Sequence, residues 1–396
     1  MLFPKNSQKF FPLQLSFIIF SMVLNCMGII VLKYSGSDIS YNHLGFLEFF
    51  KDIPIALTSL LAINYINKTG NKKSLIFAIS TVLVCCILIP FVDDFWFFKI
   101  WFALIGISFA IAKISVFGLI RNNAGGEKGF SKVMNRVEAS FMIGMFFINI
   151  IFGWLLSGSL EQYWKFGFWI IALVSAITIL QLYRNHYTEL QSENISYSMN
   201  LKAIFNFRTM LFLLILFFTV FTEQCFNTWL PAFYKNNLHV NSFFALQSTA
   251  LLAFFSFVGR FATSRIIHRF KWQQYILFCI FMLILCIVLA QLLMNISVKQ
   301  NLYTLMLLLP FLGLFLSPLY PLYNSKFLIN ISSEKINILT SMIVIFSSLG
   351  GSFGSLGMSY VFEHDLDKNF LLFILIPVFT VFAVTVIFLK TLILRQ

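Results

Sequence analysis

Twelve stretches of roughly 20 residues, each carrying at most a few charges, recur along this chain and limit its fold more tightly than any other feature. A helix rises about 1.5 Å per residue, so a run of that length crosses about 30 Å of hydrocarbon. Lipid offers no partner to a backbone N–H or C=O, which leaves helices as the form such runs take. The twelve helices are expected near 13–32, 46–66, 74–92, 97–120, 131–157, 166–183, 209–234, 241–264, 274–294, 302–325, 337–361 and 370–389. Composition excludes the alternative of a soluble enzyme. Apolar residues make up 59% and charged residues 11%, and 51 Phe, 13 Tyr and 7 Trp need an apolar surrounding.

The 28 Lys and Arg against 15 Asp and Glu could point to nucleic acid, but no basic cluster with interleaved aromatics lies outside the apolar segments. Topology explains the excess. With the N-terminus inside, eighteen basic residues fall on the cytoplasmic side and six on the other, which orients the chain with both termini cytoplasmic, in a plasma (bacterial inner) membrane. The N-terminal segment with Lys5 and Lys9 has no small-residue cleavage site and reads as leading into a retained first span. All six cysteines fall in apolar stretches and read as small buried hydrophobes. No metal or other cofactor is implied, and a monomer is expected.

The longest polar stretch, 184–208, follows the sixth span. It divides the chain into an N-terminal six-helix bundle, 1–184, a cytoplasmic linker, 185–208, and a C-terminal six-helix bundle, 209–396. A shift of 200 residues lays the cationic turn 62–73 over 262–273. Two such six-span pseudo-repeats around a midplane site are the plan of the major facilitator fold, an all-α membrane architecture.

The turn 64–73 resembles the facilitator loop pattern of Gly, Asp, a basic residue, Gly and two basics, with Asn64 in place of the Gly and Asn67 in place of the Asp. Lys68, Gly70, Lys72 and Lys73 complete it. In the second half, Phe257-Val-Gly259-Arg260-Phe261 with Ser264-Arg265 and Arg269-Phe270 is similar to the eighth span and following loop of fucose permease and its relatives. Pro318-Leu-Tyr320-Pro321, the run SMIVIFSSLGGSFGS at 341–355 and EQCFNTWLPAFY at 223–234 resemble the same sugar:proton symporters, so the likeness covers about residues 220–360. That resemblance implies proton-coupled transport of a small solute. It also implies an acid in the first span and another in the fourth, yet the first span has none and the fourth carries Lys113. L-fucose is therefore not the expected solute, and the group's coupling residues do not carry over.

Lys51, Asp52, Lys113, Glu138, Glu223 and Arg260 sit within or just inside spans, where each costs roughly 2.5–3.5 kcal/mol to insert. Lys51 and Asp52 project about 100° apart and need not pair, so they read either as an interspan anchor or as a gate (Lys51) and a proton-coupling acid (Asp52). Lys113 and Glu138 lie at comparable depth. They are either an ion pair joining spans four and five, or an ammonium that receives an anionic or polar solute and an acid available for coupling. Glu223 stands one turn from Asn227 and two from Pro231, whose missing N–H frees a carbonyl near Asn227; it is read as binding substrate or a proton, or as a helix-to-helix hydrogen-bonding group. Arg260, with Gly70, Lys72 and Arg265, is assigned to the cytoplasmic gates. Glu48, near the outer end of span two, reads equally as a solvated residue. Asn25, Gln224, Trp229, Tyr320 and Asn324 are possible substrate contacts.

No nucleotide-binding loop or catalytic triad is present, so the chain is read as a secondary transporter rather than an enzyme. Its expected partners are a small polar or anionic solute, protons and the bilayer. Export of drugs or of a carboxylate siderophore, and a non-transporting membrane receptor or sensor, are the alternatives.

Overall fold

The computed structural model describes residues 5–35, 37, 39–124, 127–157, 159–189, 206–328 and 333–393. Most of the linker, together with Lys202 and Arg395 from the basic count, lies outside the described residues. Among those described the regular structure is helical. The α-helices are α1 (Lys5–Leu24), α2 (Met27–Tyr34), α3 (Tyr41–Thr69), α4 (Asn71–Leu88), α5 (Trp96–Asn123), α6 (Glu127–Leu156), α7 (Phe168–Arg184), α8 (Phe207–Asn237), α9 (Ser242–Ile266), α10 (Trp272–Ile296), α11 (Val298–Phe311), α12 (Gly313–Leu316), α13 (Leu319–Leu328), α14 (Ser333–Glu363) and α15 (Phe370–Ile393).

Among the described residues, eleven helical stretches are long and apolar enough to cross a membrane. The one that sequence counting adds is α3. Its 29 residues give ample length, but Glu48, Lys51 and Asp52 interrupt its apolar surface. Two expected spans are broken rather than continuous: the first at Asn25–Cys26, between α1 and α2, and the tenth at Leu312 and at 317–318, around α12.

The helices form two compact units. The first comprises Met1–Cys26 and Phe50–Tyr197, and the second Met27–Phe49 and Ser198–Gln396. In the first, α1 packs on α6, and α4 on α5 and α7. At the end that carries residues 161–167 it closes over Trp101, Phe152 and Phe168, all fully buried, with Trp164 stacked near Phe98 at 6.4 Å. In the second, α8 is central, against α14, α15, α9 and α2. Gly350 and Gly354 lie directly on the backbone of Phe217 and Phe221, the close packing that the glycine run in span eleven suggests.

Proline explains how the second unit is cross-linked. A proline inside a helix leaves the carbonyl four residues earlier without its N–H partner, and in lipid another group must meet it. Pro310 frees the Met306 carbonyl, to which the Tyr234 hydroxyl donates at 3.1 Å, with a second contact to Leu305 O at 3.2 Å. Ser317 O, left open by the break ahead of α13, accepts from Arg260 Nε at 3.3 Å. Pro231 frees Asn227 O, as the sequence indicates, and there Gly28 comes so near that a Cβ would sit 2.9 Å from that oxygen. At Pro310 and at Pro231 the freed carbonyl thus marks where a second helix docks.

Candidate functional site

In the first unit α5 separates two faces. Ile100, Leu104 and Ile107 are exposed on one. At about 100° per residue, Phe109, Lys113 and Phe117 fall on roughly the opposite face, stacked at four-residue spacing. The Lys113 ammonium lies 5.8 Å from the Phe109 ring centroid and 5.9 Å from that of Phe117. Among the described residues no ion pair joins it to Glu138, so the sequence-level possibility of a pair between spans four and five is not realised. Equal depth on two helices says nothing about rotation around their axes. Phe17 and Phe20 of α1 and Phe141 of α6 extend the aromatic wall. Asn25, at the break between α1 and α2, donates to Ser21 O at 2.8 Å.

In the second unit a polar cluster lies along α8. Gln224 Nε2 donates to Glu48 Oε1 at 2.6 Å, and the Thr228 hydroxyl donates to the same oxygen at 3.0 Å. Glu48 is fully buried, which corrects the reading of it as a solvated outer residue. One turn earlier, Gly45 packs on Ser359 of α14, and this close fit holds the carboxylate inside. Beside Gln224, Glu223 Oε1 stands 3.6 Å from Arg260 Nη2, with a quarter to a third of each side chain exposed. Arg260 thus ties Glu223 to the Ser317 carbonyl at the break in span ten. The Tyr320 hydroxyl accepts from Ser347 at 3.3 Å. Asn324 Oδ1 is buried and has no hydrogen-bond partner among the described residues. Trp229 is fully buried, its indole donating to Ser355 Oγ at 3.1 Å and packed on Tyr41 and Phe362, so it offers a solute no surface in this conformation.

The sequence matches the description "Major Facilitator Superfamily" over residues 13–355. The chain belongs to that superfamily. Its members are secondary transporters, not enzymes. Among solved structures, the nucleoside transporter NupG is similar at 14% identity, covering 96% of this chain and 98% of that one with a TM-score of 0.72. A D-xylose-proton symporter is similar at 12% identity, 95% and 96% coverage and a TM-score of 0.76. A bacterial homolog of the human lysosomal transporter Spinster, in an inward-facing and occupied conformation, gives 13%, 97% and 97%, and 0.69. These likenesses establish the fold. No curated protein matches the sequence.

The facilitator loop at 64–73 departs from the superfamily pattern at Asn67, and the structure places an acid there by another route. Glu189, beyond the sixth span, accepts the Lys72 backbone N–H at 2.8 Å, at the exposed start of α4. Gly70 has φ +87°, a backbone conformation that calls for glycine, and its open Cα leaves room for the Glu189 carboxylate beside it. Lys72 Nζ donates to Asn185 O at 3.0 Å, and Asn123 Oδ1 accepts from Lys9 Nζ at 2.8 Å and from Thr188 N at 2.9 Å. Tyr187 donates to Lys9 O at 2.8 Å, and burial pushes its hydroxyl pKa well up. A carboxylate at a helix N-terminus completes its free N–H groups and complements its dipole.

Lys51 and Asp52, read as pointing apart, approach to 3.8 Å and are both largely buried, because a lysine stem spans the 100° between neighbours. Arg265 stacks on Phe261 at 4.2 Å. Glu138 is half-buried on α6.

Proposed function

We propose that this transporter moves a small anionic solute by alternating access, coupled to protons, across a plasma membrane with both termini cytoplasmic. The observation that carries this reading is Lys113: a half-buried ammonium, on the face of α5 turned from the exposed apolar stripe, with ring faces as its neighbours and no carboxylate paired to it among the described residues. A cation over an aromatic face gains about 0.5–2 kcal/mol, against roughly 2.5–3.5 kcal/mol for inserting it, so an incoming anion supplies what the protein leaves unmet. Glu223 is the proposed proton carrier. Arg260, at 3.6 Å, is the charge that faces it, and protonation of Glu223 would release that guanidinium. Its partly exposed carboxylate, the break in span ten beside Arg260 and the fold shared with a D-xylose-proton symporter support the assignment. Asp52 and Glu138 are the further acids proposed for coupling, and Lys51, Gly70, Lys72, Arg260 and Arg265 the gate set.

The test is uptake into proteoliposomes under an imposed pH gradient, with a panel of radiolabelled carboxylates, phosphate esters and sulfonates. Lys113→Met is expected to abolish uptake of the transported anion, and Lys113→Met with Glu138→Leu to remain defective. Recovery of normal affinity in the double variant would return Lys113 to an ion-pair role. Unchanged pH dependence in Glu223→Gln would remove that residue from coupling.

A further inference from the structure

The surroundings of Lys113 carry more than the sign of the substrate's charge. Phe109 and Phe117 flank the ammonium, and three phenylalanines of α1 and α6 pack on that pair and on one another. Phe17 stacks on Phe117 at 6.1 Å and meets Phe141 at 6.5 Å, while Phe109 meets Phe20 at 5.7 Å and Phe141 at 6.3 Å. Phe17 and Phe20 are buried, whereas Phe109, Phe117 and Phe141 keep part of their surface open. Three polar side chains in or just after α1 and in α6 are turned to their own or a neighbouring backbone. Ser21 Oγ donates to Phe141 O, Asn25 Nδ2 to Ser21 O at 2.8 Å and Ser140 Oγ to Arg136 O at 2.9 Å.

A polyhydroxylated solute pressed on this wall would leave hydroxyls buried without partners, each at a cost to binding. A molecule with one anionic end and a flat apolar body meets no such penalty. Its carboxylate takes the ammonium donors, and its ring packs edge-on or offset against Phe109, Phe117 and Phe141, the arrangements aromatic pairs prefer. Resting on the anion reading above and narrowing it, we infer that the first unit recognises an arenecarboxylate: a carboxylate held by Lys113 and an aromatic body held by the phenylalanine wall.

Binding to the full chain in lipid nanodiscs tests this, with benzoate, acetate and benzyl alcohol as probes and thermal stabilisation as the readout. Benzoate is expected to half-saturate at a concentration roughly tenfold or more below acetate, in line with what an added apolar group contributes in a fitting pocket, and below benzyl alcohol. Lys113→Met should lose the benzoate response and Lys113→Arg should keep it, which separates lost charge from lost folding. Phe109→Leu should raise the benzoate midpoint severalfold and leave that of acetate in place. Equal response to acetate and benzoate, dependent on Lys113, overturns the aromatic assignment while the anion reading stands. No response to benzoate likewise overturns the aromatic assignment alone, whereas equal response to benzyl alcohol and benzoate, or a benzoate response that survives Lys113→Met, overturns both.

Discussion

The Tyr234 hydroxyl offers a sharp test of how this chain satisfies its backbone in lipid. Tyr234 is fully buried, and its hydroxyl donates to Met306 O at 3.1 Å, the carbonyl that Pro310 cannot serve. Tyr234→Phe removes only the oxygen and leaves the ring in place. A buried acceptor then loses its partner, at a cost of about 1–3 kcal/mol. In a Pro310→Ala background the alanine N–H can close the helix onto Met306 O, so the hydroxyl is no longer required there. The double-mutant cycle isolates that coupling, which should be about 1 kcal/mol or more. Reversible unfolding of the four variants in one detergent, read as apparent midpoints, supplies the numbers. Tyr234→Phe should be clearly destabilising alone and nearly neutral beside Pro310→Ala. An equal penalty in both backgrounds would refute the argument that tyrosine replaces the missing proline N–H.

Two further predictions address the ends of the first unit. At one end Lys165 donates to Asp93 at 2.8 Å and to Val92 O at 2.7 Å, and the hydrogen bond and charge it brings to Asp93 hold that exposed carboxyl below its usual range. A depressed carboxyl stabilises above its unfolded pKa and loses that effect as pH falls through its folded pKa. Asp93→Asn should therefore unfold below wild type at neutral pH and converge with it as pH drops below about 4; a constant difference would contradict the assignment. At the other end, Glu189→Ala should accelerate deuterium exchange at the Lys72 amide severalfold, and unchanged protection there would show that Glu189 does not cap α4.

Span positions are legible in the sequence because length and charge alone decide what lipid accepts. The carbonyl freed by Pro231 is legible too, since a missing N–H is a property of the residue itself. What meets that carbonyl is not, because Gly28 belongs to a helix some two hundred residues earlier. The same distance hides Glu48: its partner Gln224 lies 176 positions away, and only that contact turns an outer-end acid into a buried one. A hint is present in the close spacing of Glu48, Lys51 and Asp52, which share neighbouring faces of α3. Lys113 and Glu138 show the opposite failure. Their depths match, but rotation of α5 and α6 decides contact, and the ammonium lies instead along its own helix, between Phe109 and Phe117 one turn to either side. The superfamily pattern puts the acid of the 64–73 turn at Asn67, whereas Glu189 supplies it, a residue that no local pattern singles out.

The most direct test of the central claim is a crystal structure of the protein with 4-bromobenzoate, read through the bromine anomalous signal. The account predicts a peak beside Phe109 and Phe117 in the first unit, with the carboxylate about 3 Å from the Lys113 ammonium and no peak at the same place in Lys113→Met. A bromine bound away from Lys113, or bound unchanged in Lys113→Met, would contradict it.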